Sequence, residues 1–293
     1  MKLQWRLEKV LKGAYEITAQ AKINWTLDIV GQREDGYHLL DSLMQPLALC
    51  DTIFIEPAEE LSLEIRGAEL KADESNLVLR AARALQEKTG TAKGAHISLW
   101  KEIPMGAGLG GGSADAAAAL RGLCEFWELD LTEDALYEMG LKLGADVPFC
   151  LMNSPARARG IGEKLTPIHV EKTYPLVLLQ PCGPLSTKAV FEAYHQLPAR
   201  PSDVNACLEA LAKGDLKKLS ENAVNALEGV SMDMRPEIKR AKEALRENGA
   251  AFAQMTGSGS VVIGAFEKHR DARKAYETLK KQYACCILTE TAL

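Results

Sequence analysis

The 293-residue chain contains no uninterrupted apolar run near the ~20 residues that cross a bilayer, so a membrane-spanning helix is excluded. Its opening residues, Met1-Lys2-Leu3-Gln4-Trp5-Arg6-Leu7-Glu8, lack an apolar stretch of signal-peptide length and a small-residue cleavage site. A cytoplasmic protein is expected. The seven cysteines include no Cys-x-x-Cys, their number is odd, and the five histidines do not cluster with them. A zinc site or a disulfide framework is therefore disfavoured, and reduced, buried thiols are expected. Internal repeats and low-complexity tracts are absent. The net charge of −5 disfavours nucleic acid as the main partner, and no membrane partner is expected. An anionic ligand must then be met by local positive groups, not by the overall field. With 47% apolar and 26% charged residues the chain is globular, and its length suits one large domain or two ordinary ones.

What is present is a glycine run. Residues 104–116 read Pro-Met-Gly-Ala-Gly-Leu-Gly-Gly-Gly-Ser-Ala-Asp-Ala, with five glycines in the seven positions from 106 to 112. The run separates an alternating, strand-like segment from an alanine-rich, helix-like one. Such a loop lets backbone approach a ligand closely, and the helix start adds free N–H groups and partial positive charge. Phosphate suits that place, whereas a tight turn or close helix packing needs one glycine, not five.

Three kinds of glycine loop compete. The P-loop of nucleoside triphosphatases requires Gly-Lys-Ser/Thr, and that triplet occurs nowhere in the chain. The dinucleotide fingerprint is formally matched by Gly106, Gly108 and Gly111. It wants the first strand-to-helix turn of its domain and an acidic residue ~20 positions on at a strand end. Here strand-rich sequence precedes the motif, and Glu125, Glu128 and Asp130 fall in a helix end and loop. The third kind rests on resemblance to a known family, through residues outside the run as well as within it.

The pattern along the chain predicts strands over 23–29, 53–56, 61–66 and 97–103. Ser75 is expected to cap a helix over 77–89 that stops at Gly90, and Ser113 to cap one running through Trp127. Thr132 opens a further helix that Gly144 closes, and Ala145-Asp146-Val147-Pro148 reads as a loop. Beyond Tyr174-Pro175 the order is strand (176–180), several helices, strands (251–255 and 261–266), helix (268–282) and strand (284–288). Without the additional helices this is a split βαβ pattern, typical of an α+β sandwich, with a boundary near residue 171.

Pro104, Gly108, Leu109, Gly110 and Ser113, preceded by Ala21-Lys22-Ile23-Asn24 and followed by Met255-Thr256-Gly257-Ser258-Gly259, form a recognisable set. The set resembles the galactokinase, homoserine kinase, mevalonate kinase and phosphomevalonate kinase (GHMP) superfamily, in the same order and over nearly the whole chain. Gly36-Tyr37-His38, Gly144-Ala145-Asp146-Val147-Pro148-Phe149 and Gly160-Ile161-Gly162-Glu163 narrow the likeness. They are similar to the branch that phosphorylates a cytidine diphosphate-bearing alcohol on the non-mevalonate route to isoprenoid precursors. Gln20 stands where the family often has proline, Trp25 where it has leucine, and Ala114-Asp115 where Ser-Asn or Ser-Ser is commoner. Thr256 and Ser260 replace a common serine and proline.

The resemblance implies a two-domain α+β fold. Residues 1–171 would form a ribosomal protein S5 domain 2-like N-terminal domain, and 172–293 a ferredoxin-like split βαβ C-terminal domain with extra helices. It implies ATP and Mg²⁺ as cofactors, a small-molecule substrate with a cytidine diphosphate moiety, and a cleft between the domains. A monomer or weak homodimer is expected. Pro104, Met105, Gly106, Ala107, Gly108, Leu109, Gly110, Gly111, Gly112, Ser113 and Ala114 would hold the nucleotide, with Asn76 and Leu77 near adenine. Asp146 would accept or orient the hydroxyl proton, and Lys22 would pair with it or touch the transferred phosphoryl. Asn24, Tyr37, His38 and Phe191 would hold substrate, Tyr37 by stacking on cytosine and His38 by bonding its edge. Ser113 is the metal candidate.

Each of these residues also has a plain role: surface lysine, turn or cap aspartate, helix-core phenylalanine, helix-start asparagine. Arg157 and Arg159 could meet diphosphate or line a solvated strand face. A GHMP kinase with another acceptor, and a non-catalytic nucleotide-binding protein of the same fold, stand as alternatives.

Overall fold

The computed structural model describes residues 8–9, 14–194 and 200–293. The opening segment read above for a leader lies, up to residue 7, outside the described residues. The chain divides into two compact units that interleave in sequence. The first holds the residues up to Ala21, Leu49–Ile103 and Gly110–Asn153; the second holds Lys22–Ala48, Pro104–Leu109 and Ser154–Leu293.

Two long strands, β2 (Tyr15–Gln32) and β3 (His38–Glu56), each lend a segment to both units. In the first unit a short β1 (Glu8–Lys9) pairs antiparallel with the start of β2. The end of β3 pairs antiparallel with β5 (Ala95–Trp100), which pairs in parallel with β4 (Leu61–Arg66). In β5 the alternation works as expected: Ala95, Ile97 and Leu99 are buried. The strand ends at Trp100, short of the expected 103, because the Asp51 carboxylate takes the amides of Glu102 and Ile103 that a ladder would need.

Four helices complete this unit: α1 (Leu77–Thr89), α2 (Gly111–Phe126), α3 (Glu133–Leu143) and α4 (Val147–Met152). Helix α1 has the expected span, but Asn76, not Ser75, caps it, its side chain accepting from Val78 N at 2.9 Å. Gly90 ends it in the left-handed region, as a C-terminal stop requires. Helix α2 starts two residues before Ser113. Gly110 is its N-cap, and Ser113 lies inside the first turn without capping it. Its alanines and Leu120 are buried, and small residues bring it close to its strands: a Cβ on Gly122 would meet Ile55 Cδ1 at 2.8 Å. The stretch 145–148 is not all loop, because α4 begins directly after Asp146 with Pro148 in its first turn. Gln20, where proline was the family's habit, has its amide oxygen bonded by Asn153 Nδ2 at the end of α4.

In the second unit β6 (Ala156–Gly160) pairs antiparallel with the start of β3 and with β7 (Lys164–Pro167). Their turn is closed by Glu163, whose carboxylate accepts from Ile161 N at 2.6 Å. A four-stranded antiparallel sheet follows, made of β8 (Pro175–Gln180), β9 (Phe252–Met255), β10 (Val262–Ala265) and β11 (Cys285–Glu290) in the order β11-β8-β10-β9. Helix α10 (His269–Leu279) connects β10 to β11. Between β8 and β9 lie α5 (Thr187–Ala193), α6 (Val204–Lys213), α7 (Leu216–Asn222), α8 (Glu228–Met234) and α9 (Glu237–Glu247). This is the ferredoxin-like order that the split βαβ pattern predicted, with its crossover swollen by extra helices.

The core of this sheet joins Val177, Leu179, Leu245, Met255, Val262, Phe266 and Leu279. Trp25, fully buried, packs edge-on against Tyr174 and Phe252 with ring centroids 5.9 and 5.1 Å away. Burying an indole removes about 200 Å² from water, worth about 5 kcal/mol, provided its N–H finds an acceptor. Gln45 Oε1 accepts that N–H at 2.7 Å.

All seven cysteines are free thiols, and burial pushes Cys207 up to about 12, so it stays protonated. Among the described residues no helix is long and apolar enough to cross a membrane.

Candidate active site

The glycine loop is held from behind by its carbonyls. Met105 O accepts from Gln180 Nε2 at 3.2 Å, Ala107 O from Val261 N at 3.2 Å and Leu109 O from Lys22 N at 2.9 Å. At Gly108 two requirements coincide. Its φ is +77°, and a Cβ there would lie 2.3 Å from Thr256 O. Only glycine satisfies both. From the other side a Cβ on Gly257 would lie 3.0 Å from Gly108 O. The loop and the 255–259 turn, some 150 residues apart in sequence, therefore pack backbone to backbone.

The 255–259 turn is itself fastened by a residue that sequence reading missed. Asn225, 4% exposed, donates through Nδ2 to Met255 O and Gly257 O, both at 2.8 Å. No local signal distinguishes Asn225 from other asparagines between helices; its carbonyl partners lie about 30 residues on. Ser260 Oγ donates to Cys182 O at 3.1 Å, which gives that departure from the family a structural role.

Lys22 and Asn24 lie on one face of β2 and are buried, at 4% and 3% exposure. Lys22 Nζ donates to Asn24 Oδ1 at 2.9 Å, and Asn24 Nδ2 donates to Ser42 Oγ at 2.8 Å. Asn24 N donates to Thr256 Oγ1 at 2.9 Å. Lys22 is thus no surface lysine. A buried polar chain links it to Asn24 and the 255–259 turn, and its own amide binds the loop at Leu109.

At the tip of the β2–β3 hairpin, Arg33 N donates to Tyr37 O at 2.7 Å and Gly36 has φ +86°, the turn expected of Arg-Glu-Asp-Gly. Tyr37 is 59% exposed. His38 stacks on Phe191 with centroids 5.1 Å apart at 30°, and Tyr194 stands edge-on to the imidazole at 6.2 Å. His38 and Phe191 are therefore brought together, while Tyr37 stays exposed. Arg157 is occupied: it makes a two-point ion pair with Asp41, Nε to Oδ1 at 2.7 Å. Arg159 stays exposed.

In the first unit the start of α2 gathers the remaining candidates. The amides of Gly111, Gly112 and Ser113 have no intrahelical acceptor by their position, and Gly110, at φ +71°, offers no side chain to cap them. Such a helix end fits phosphate oxygens. A Cβ on Gly112 would meet Leu77 Cδ1 at 3.5 Å, which places the start of α1, with Asn76 and Leu77, beside that of α2. A Cβ on Gly144 would lie 3.7 Å from Ser113 Oγ, which places Ser113 beside the segment leading to Asp146. Asp146 occupies the N-cap position of α4 without capping it by its side chain. Ala114 is buried, in keeping with the lost hydroxyl at that position. Among the described residues no three His, Cys, Asp or Glu side chains group to hold a metal ion.

The loop geometry and the sheet order define a class. The family descriptions "GHMP kinases N terminal domain" and "GHMP kinases C terminal" match residues 76–154 and 207–285, and the chain is a small-molecule kinase of that class. A 4-diphosphocytidyl-2-C-methyl-D-erythritol kinase of Caldicellulosiruptor bescii is 40% identical over 280 residues, covering 94% of this chain and 98% of its own. The crystal structure of a 4-(cytidine 5'-diphospho)-2C-methyl-D-erythritol kinase superposes with TM-score 0.83 at 35% identity, over 95% of this chain and 99% of that one. A homoserine kinase from Cytophaga hutchinsonii, at 17% identity and TM-score 0.77 over 98% and 96% of the two chains, shares the fold. The chain belongs to the 4-diphosphocytidyl-2-C-methyl-D-erythritol kinase family.

Proposed function

We propose that the protein transfers the γ-phosphoryl group of ATP to the 2-hydroxyl of 4-diphosphocytidyl-2-C-methyl-D-erythritol, in the non-mevalonate route to isoprenoid precursors. The observation that carries the donor side is the loop: three of its carbonyls are pinned and Gly108 lies against another backbone, while no side chain caps the first amides of α2. Similarity along the whole chain to kinases of that name supports the acceptor.

ATP, when bound, supplies the phosphoryl group and Mg²⁺ the counter-charge. Residues 104–114 hold the phosphates, mainly through backbone N–H groups that need no reorganisation during transfer. Asn76 and Leu77 are assigned to the adenine side. Mg²⁺ would be held by phosphates and water, with Ser113 Oγ as the protein ligand. Asp146 orients the acceptor hydroxyl and takes its proton. Lys22, oriented by Asn24, pairs with that carboxylate or neutralises the moving phosphoryl. Asn24 touches substrate, and Tyr37, His38 and Phe191 form the cytosine site; the His38–Phe191 stack supplies a preformed aromatic wall. The same reading carries a cytoplasmic enzyme, a monomer or weak homodimer, and a family-domain boundary at 171.

A coupled ADP-release assay tests this with four acceptors: the cytidyl alcohol, mevalonate, homoserine and galactose. ADP release is expected only with the first. Turnover confined to another acceptor overturns the substrate, and ADP binding without turnover on any of them favours a non-catalytic role.

A further inference from the structure

Beneath the first turn of α2 lies a buried ionic cluster that includes none of the residues assigned to ATP or the acceptor. Lys101, Asp51 and Asp115 have side chains only 4%, 0% and 5% exposed. Lys101 Nζ donates to Asp51 Oδ2 and, at 2.7 Å, to Asp115 Oδ2. The second oxygen of Asp51 accepts from Glu102 N at 2.6 Å and Ile103 N at 2.8 Å. Asp115 Oδ1 is buried with no hydrogen-bond partner among the described residues. A Cβ on Gly111 would lie 3.4 Å from Lys101 Nζ and 3.0 Å from Ile103 Cγ2.

The arrangement has a direction. Asp51 grips the chain just before the glycine loop, at Glu102 and Ile103. Through Lys101 it also grips Asp115, in the helix just after the loop. The two flanks, at Ile103 and at Asp115 in the start of α2, are thereby tied to one ionic cluster. Two carboxylates share one ammonium in a dry site, an expensive arrangement to keep where packed apolar groups would be as stable.

We propose that Lys101, with Asp51 and Asp115, is a positioning residue that fixes the separation of the two ends of the glycine loop and so the placement of its phosphate-binding amides. The proposal rests on the reading of that loop as the ATP site. Misplacing such amides by about 1 Å costs up to ~100-fold.

The test compares three variants of the full-length protein by ADP binding, measured calorimetrically, and by steady-state kinetics. Asp115→Leu keeps the branched shape, though with larger methyl groups, and leaves the Lys101–Asp51 pair balanced while the grip on α2 is lost; the thermal midpoint checks that it folds. ADP affinity is expected to fall about tenfold or more, and KM for ATP to rise in step, with the acceptor KM within about twofold. Asp115→Asn keeps an oxygen for Lys101 and is expected to hold ADP affinity within about twofold, which a role of charge alone would not allow. Lys101→Met is expected to weaken ADP binding as Asp115→Leu does. If it does not fold, amide hydrogen exchange at Gly111–Ser113 in Asp115→Leu, expected to quicken while β8–β10 stay unchanged, takes its place. Unchanged ADP affinity and exchange in folded Asp115→Leu overturns the positioning role alone. Failure of the unmodified protein to bind ADP overturns the ATP reading and this proposal with it.

Discussion

The start of α2 and the 255–259 turn both present glycine-rich backbone, yet they are fastened by opposite means. Under α2 the fastening is ionic and dry: one ammonium between two buried carboxylates. At the turn it is neutral: Asn225 to two carbonyls, Thr256 to Asn24, and Ser231 Oγ to Ser258 O at 3.3 Å. A neutral amide clamp responds little to pH, whereas buried carboxylates crowd one another's charge. Burial, opposed by Lys101 and reinforced by Asp51, pushes Asp115 up to about 7. The difference teaches that two glycine-rich segments can be fastened by contacts of different pH sensitivity, ionic at the start of α2 and neutral at the turn.

The largest effect is expected at Asp146, which lies in the same unit as the ionic cluster and is proposed above to orient and deprotonate the acceptor hydroxyl. Asp146→Asn should lower kcat by ~10²–10⁴ while leaving the thermal midpoint nearly unchanged. Near-normal turnover would remove Asp146 from the mechanism and leave that side of the site purely structural.

Next comes the neutral side. Gly108→Val forces a side chain onto Thr256 O at a left-handed φ, and ADP affinity should fall by ~10–100-fold. Retained affinity would mean that the loop does not need its contact with the turn.

Asn225→Ala strips two buried carbonyls of their donor and should destabilise the fold by about 1–3 kcal/mol, equally at pH 5 and pH 7.5. A pH-dependent loss in urea titrations would blur the contrast between the two fastenings.

The smallest and most specific effect concerns Asp115→Asn. The folded carboxyl keeps its proton up to about pH 7, while an unfolded one releases it near ~3.9. Between those values the folded state binds more protons, so stability falls as pH rises and then levels off. The amide cannot titrate, so the urea midpoint of Asp115→Asn should fall less between pH 5 and pH 7.5 than that of the unmodified protein. Parallel pH curves would show that Asp115 is not the titrating group.

Much of this molecule was legible because its signals are local. The span of α1, the stop at Gly90, strand β4 and the ferredoxin-like order of the last four strands follow from periodicity, caps and turns. The caps lie one residue after and three residues before the serines that the pattern favours, at Asn76 and Gly110, and only hydrogen-bond geometry at the first and a left-handed backbone at the second resolve them. Lys101 did leave a trace. It falls in phase with Ile97, Leu99 and Ile103 on the buried face of an alternating strand, where a charge needs a partner. Asp115 likewise interrupts a run of buried alanines in α2. Neither position says which residue answers it, and Asp51 lies 50 residues from Lys101 in sequence.

The sequence by itself determined the glycine loop, its class of kinase and the order of elements, because glycine conformations, caps and apolar periods act over a few residues. Only the tertiary structure decided that β2 and β3 serve two units, that Gly108 lies against Gly257, that Asn225 holds the turn, and that His38 stacks on Phe191. It alone showed that the two ends of the loop at 104–110 are tied to one buried ion pair. The reason is physical: a buried polar group is satisfied by whatever donor or acceptor the fold brings near, and proximity in space leaves no spacing in the chain.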